Sequence, residues 1–220
     1  MNEERLEHFM CLFVALRIFI GKETSRDEGF LRCAGRLCEQ FVHKYQQLYP
    51  SQAIVFNTHS LLHLEKQVRI HGPLELSAAW EYENSIRSIG DRIKSGYLPL
   101  EQLVRRLSEG FDLKKIQRSS TKGILIDGHE LIPNKFKDGV FTMKDGSSGF
   151  LTEVKDGGVL RYRKFKMVKS AFVYPINSQK LGISCCKLLN EASLVKTADV
   201  IYKCMVLVSV KYYILIPLSL

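Results

Sequence analysis

Apolar residues in the first half of the chain recur every three or four positions, a spacing that predicts helices. Leu6, Phe9, Phe13, Leu16 and Ile20 make one stripe, while Leu12, Val14 and Ile18 fill the other side, so this helix is expected to be buried nearly all round. A polar break over residues 21–28 separates it from a second stripe, Phe30, Ala34, Leu37, Phe41, Tyr45 and Leu48, which Pro50 ends. Asn57 stands where a cap would be, Leu61, Leu64 and Val68 follow on one face, and Gly72-Pro73 stops this third helix. Tyr82, Ile86, Ile89 and Ile93 mark a fourth. Pro99, suited to a first turn, opens a fifth through Leu100, Leu103, Val104 and Leu107 to Gly110. Residues 1–110 are therefore expected to form an all-helical domain of about five helices.

Beyond a polar link at 111–121 the punctuation changes. Asp-Gly occurs at 127–128, 138–139, 145–146 and 156–157, and the last three are preceded by Lys. The dipeptide suits tight hairpin turns because both residues tolerate positive φ. Strand-like runs lie between these turns, at 124–126, 140–143, 150–154 and 159–167, with later ones at 171–174, 198–210 and 212–216. Such spacing is that of a small barrel or meander, so the fold class is α+β, with a β-rich basic domain at 122–220.

Composition adds the charge asymmetry. The 220 residues are 45% hydrophobic and 25% charged, ordinary for a globular protein, and carry a formal charge of +9. Residues 1–110 hold 14 basic and 14 acidic side chains, whereas 111–220 hold 18 and 9, so the whole excess lies in the second half. A polyanion is the partner such a segment suits. Six cysteines without Cys-x-x-Cys spacing point to free thiols in a reducing, intracellular compartment. The chain opens Met-Asn-Glu-Glu-Arg, unlike a secretory signal. The apolar stretches 9–20 and 206–220 are short of the roughly 20 residues of a spanning helix, so no membrane partner is expected.

Three constellations invite chemistry. His59 and His63, four apart, share a helix face, but His-Ser-Leu-Leu-His lacks the glutamate of hydrolytic zinc motifs, and Cys33 and Cys38 would splay their sulfurs around their helix. Packed or hydrogen-bonded histidines are the stronger account, and no metal is assigned. Glu81 and Glu83 point apart on a helix, and Glu83 precedes Arg87 by four residues, the spacing of a solvated ion pair. The densest basic run is Arg161-Tyr162-Arg163-Lys164-Phe165-Lys166, followed by Lys169. As a strand it would put cations on both faces, tracking phosphates while Tyr162 or Phe165 stacks on a base. The competing account is an edge strand whose charges deter pairing with other chains.

The string at 57–84, NTHSLLHLEKQVRIHGPLELSAAWEYEN, resembles a segment of transposases of the CACTA (En/Spm) type and their domesticated relatives. The shared features are Asn57, His59, His63, the turn Gly72-Pro73-Leu74 and Trp80-Glu81-Tyr82-Glu83, in which Glu81 replaces a proline and Trp80 and Tyr82 stand for phenylalanines. His8-Phe9, Val173-Tyr174-Pro175, Leu181-Gly182-Ile183 and Ile216-Pro217-Leu218 resemble the family's flanks. The resemblance implies DNA transposition in the nucleus by an RNase-H-like nuclease whose three carboxylates hold two divalent metals. It places the last acid at Glu83 and the first two upstream of this chain. The expectation is then a carboxy-terminal part of a transposon-derived protein, without cofactor and catalytically incomplete alone. Its partners would be DNA and the missing upstream transposase portion. The alternative from the residues alone is a non-catalytic protein-interaction module in which His59, His63 and Glu83 are structural.

Overall fold

The computed structural model describes residues 3–50, 55–117, 123–126 and 128–218, and it is α+β, helical in its first half and a closed barrel in its second. Helices α1 (Glu3–Ile20) and α2 (Glu28–Leu48) are the long early pair. Asp27 caps α2, its carboxylate accepting the Phe30 N–H at 2.9 Å and so satisfying one of the free donors of the first turn. The buried face of α1 is His8, Cys11, Val14, Ala15, Ile18 and Phe19. Leu6 and Phe9 of the expected stripe are 42% and 53% exposed, so α1 is not buried all round. His8 owes its burial to a partner: its ring stacks on Phe41 at 4.1 Å and its Nε2 donates to the Phe41 carbonyl at 2.8 Å.

The third expected helix is broken into α3 (Phe56–Ser60), a 3-10 turn (Leu61–His63) and α4 (Leu64–His71). Asn57 is not its cap. Val55 occupies that position without a side-chain bond, and Asn57 is the second helical residue. Gly72 does end α4, at a φ of 82° that favours glycine, and its N–H returns to the Val68 carbonyl. Helix α5 (Leu74–Ser77) is a single turn, followed by α6 (Trp80–Gly90) and α7 (Pro99–Gln117). Helix α7 runs through Gly110, where an end was expected, since an interior glycine costs only about 1 kcal/mol. Residues Met1–Leu76 and Gly123–Leu220 form one compact unit and Ser77–Lys122 a second.

In the first unit a hairpin, β1 (Ile124–Ile126) with β2 (His129–Leu131), precedes six strands. These are β3 (Val140–Met143), β4 (Ser148–Lys155), β5 (Val159–Ser170), β6 (Ser184–Lys196), β7 (Val200–Val208) and β8 (Tyr213–Pro217). They close antiparallel in the order β3-β4-β5-β6-β8-β7. The Asp-Gly turns work as expected at Gly128, Gly146 and Gly157, all at φ near +77°. Gly139 is kept for space, because a Cβ there would meet the Ile132 carbonyl oxygen at 2.6 Å. Asp127 lies outside the described residues.

Two strand expectations need correction. Residues 171–174 are a loop that leads into a cis Tyr174–Pro175 bond, and the expected 198–210 strand starts after a 3-10 turn at Thr197–Asp199. Strand β6, 13 residues and the longest of the barrel, has no counterpart in the sequence reading. Asn190-Glu191 interrupts its apolar alternation, and bulges shift its register against β5, so period-two patterning fails there.

Three apolar layers hold this unit together. Val140, Phe150, Phe165, Cys186, Cys204 and Leu215, one from each barrel strand, fill the interior. Outside, the β1–β2 hairpin lays Ile126 and Leu131 over Phe141, Met143, Leu151, Leu160 and Tyr162. Gly149 makes room here, because a Cβ would overlap the Tyr162 ring. On another wall α1 and α2 pack with Leu181, Ile183, Ile214 and Ile216, so these helices and the barrel share a core.

Candidate nucleic-acid interface

The basic run lies on β5, which is not an edge strand. It pairs with β4 on one side and β6 on the other in a barrel without free edges, so protection against edge pairing does not explain its charges. The two aromatics are also not available to bases. Tyr162 is 7% exposed, with its ring edge-on to Phe141 beneath the hairpin, and Phe165 is 4% exposed inside the barrel. The stacking expected of Tyr162 and Phe165 is therefore withdrawn: they turn into the two cores, while of the cations between them Arg163 is half-buried and Lys164 exposed.

The cations divide into two groups. Arg163 is held by the fold, its Nε donating to the Leu189 carbonyl at 2.9 Å and its guanidinium to Asn190 Oδ1 at 2.7 Å. Arg161 lies 3.7 Å from the Glu153 carboxylate, its cross-strand neighbour. Lys164 and Lys166 are exposed and in no ion pair among the described residues. Register sets Lys166 directly opposite Lys187 of β6, a like-charge pair that costs stability by up to about 1 kcal/mol. Beyond it the Lys169 and Lys187 ammonium groups sit 5.2 and 5.8 Å from the centroid of the same Tyr212 ring. Four lysines thus gather on one side of the barrel, none of them in an ion pair among the described residues. Lys187 and Tyr212 were missed in the sequence because only the β5–β6 register and the approach of β8 bring them to Lys166.

Beside this face, Lys164, Lys166, Met167, Ser184 and Leu189 with the Asp145–Ser148 turn line an open cleft of about 540 Å³. Asp145 is curled onto its own turn, accepting the Ser147 N–H at 2.9 Å and hydroxyl at 2.6 Å. Those bonds, with a smaller contribution from the charge of Lys164, hold its carboxyl below the usual range. Cys186 also borders the cleft, but burial pushes its thiol up, away from the thiolate a nucleophile needs.

The stretch 57–84 is spread over both compact units. Asn57, His59 and His63 are exposed, and the two imidazoles meet edge to face at 5.3 Å. Pro73 is buried after Gly72, while the side chains of Trp80 and Glu81 lie outside the described residues. Glu83 is exposed on α6 and forms no ion pair with Arg87 among the described residues. His59 belongs to the first unit and Glu83 to the second. Among the described residues no three His, Cys, Asp or Glu side chains are placed to hold a metal, so the donor set of a two-metal nuclease is not assembled here. No helix of the described residues is long and apolar enough to cross a membrane.

Against known families, residues 136–218 match a domain of unknown function, DUF8592. The match spans the six barrel strands with the loop before β3, and includes neither the helices nor the β1–β2 hairpin. No curated protein and no solved structure matches the chain.

Proposed function

We propose that this chain associates with DNA through the lysine face of its barrel, as the carboxy-terminal part of a transposon-derived nuclear protein that is catalytically incomplete alone. The observation that carries this reading is the direct pairing of Lys166 with Lys187, with Lys164 and Lys169 alongside and none of the four in an ion pair among the described residues. A fold does not gather like charges across a strand pair for its own stability, whereas a phosphate backbone gains from each ammonium by releasing counterions. In this reading Glu83 keeps the position of the family's last acid.

Titration of the full chain onto duplex and single-stranded DNA at two salt concentrations tests it. Affinity should fall steeply with salt, with a slope of about 0.9 per phosphate contacted on duplex, and replacing Lys164, Lys166, Lys169 and Lys187 by Gln should flatten that slope. No binding at low salt, or binding that survives the fourfold replacement, would refute the lysine face as the DNA surface.

A second reading has its own observation. Tyr82, Ile86 and Ile89 lie along one side of α6 with their side chains exposed, and this apolar display suits a protein-interaction module. Pull-down with the intact chain, compared with Ile86→Lys, addresses it.

A further inference from the structure

Resting on the DNA reading, we propose that the cleft beside the lysine face receives one unpaired nucleotide, so that the protein distinguishes strands with an unpaired base from blunt duplex. The cleft's size is the first argument, since about 540 Å³ has room for a nucleobase and its sugar. Its lining is the second. Met167, 56% exposed, and Leu189 offer an apolar surface to a base face, beside the largely buried Phe165, which also borders the cleft. Ser184 has Cys186 Sγ at 3.3 Å as a weak hydrogen-bond partner and keeps capacity for a ligand.

Asp145 decides between a base and a phosphate. Its ionised carboxylate at the rim repels a phosphate but accepts an exocyclic amino group, so the base goes into the cleft. The flanking phosphates then lie over Lys164 and Lys166, which border the cleft, and Lys187 opposite. An unpaired base enters without first being unstacked from a partner, which makes unpaired sites the favoured ones.

The experiment compares a blunt 20-base-pair duplex with the same duplex carrying one unpaired cytosine, both titrated with the full chain by fluorescence anisotropy. The wild type should bind the bulged duplex about tenfold more tightly, within the range of a single base–protein contact. Ser147→Phe fills the cleft from an exposed turn and keeps every lysine, and should erase that preference while leaving blunt-duplex affinity intact. A second measurement needs no variant: 2-aminopurine at the unpaired position should change its emission on binding, and the same probe inside the blunt duplex should not. Equal affinity for the two duplexes, a preference that survives Ser147→Phe, or a silent probe overturns the cleft. Binding to neither duplex at low salt overturns the DNA reading itself and the cleft with it.

Discussion

Two groups of cations on the same barrel have different fates. Arg161, Arg163 and Lys203 have partners in the fold: Arg161 is ion-paired with Glu153 at the surface, Arg163 bonds Leu189 and Asn190, and Lys203 donates to the Glu130 carbonyl at 3.0 Å and to Asp138 at 2.7 Å. Lys164, Lys166, Lys169 and Lys187 face solvent, Lys166 and Lys187 set against each other. In the sequence Arg163 and Lys164 are neighbours with the same sign. What separates them is which side of a pleated strand each occupies and what the next strand brings there, so charge density along a sequence overstates a binding surface and partly misplaces it.

The comparison breaks first if the aromatics between those cations are not core. Tyr162→Ala should destabilise the protein by about 3–5 kcal/mol, read as a lowered urea midpoint, while DNA affinity of the remaining folded fraction stays unchanged. A mild effect on stability with a large one on binding would return Tyr162 to the interface. Lys203→Met should cost about 1–3 kcal/mol, because two charge-assisted bonds tying β2 and the Asp138 turn to β7 are lost.

The same pair gives a pH signature. Lys203 holds the Asp138 carboxyl below its ordinary range. Its contribution is therefore complete above about pH 4 and disappears as pH falls through the lower folded value. Chemical unfolding of wild type and Asp138→Asn should differ at pH 7 and converge at low pH, and a difference that persists there would remove the ion pair as its cause.

Arg163→Met should cost about 1 kcal/mol and change DNA affinity little, whereas Lys166→Met should move stability by less than about 0.5 kcal/mol, in the stabilising direction as the clash with Lys187 is relieved. Reversed ranks in a paired thermal-melt and binding measurement would dissolve the distinction between the two groups. Smallest is a test of the interior. Burial raises the Cys204 thiol to about 11 and Cys38 to about 12, so at pH 8 a thiol reagent should label half-buried Cys33 while these two react only on unfolding.

Elements that depend on local physics were legible in the residues themselves. Period-3.6 stripes placed α1 and α2, Gly72 ended α4, and Asp-Gly turns located the hairpins around β3, β4 and β5. These features are written within a few residues of where they act. The tertiary fold sets which side of α1 is covered, leaving Phe9 outside and His8 within, because that depends on where α2 and the barrel wall lie. It alone supplied β6, whose interrupted pattern is held in place by pairing with β5 and β8, and with it the candidate site. Lys187 and Tyr212 are 21 and 46 positions from Lys166, and no local rule reaches across such a gap. Strand register does, since hydrogen bonding fixes which residues stand opposite and so which charges must share a surface.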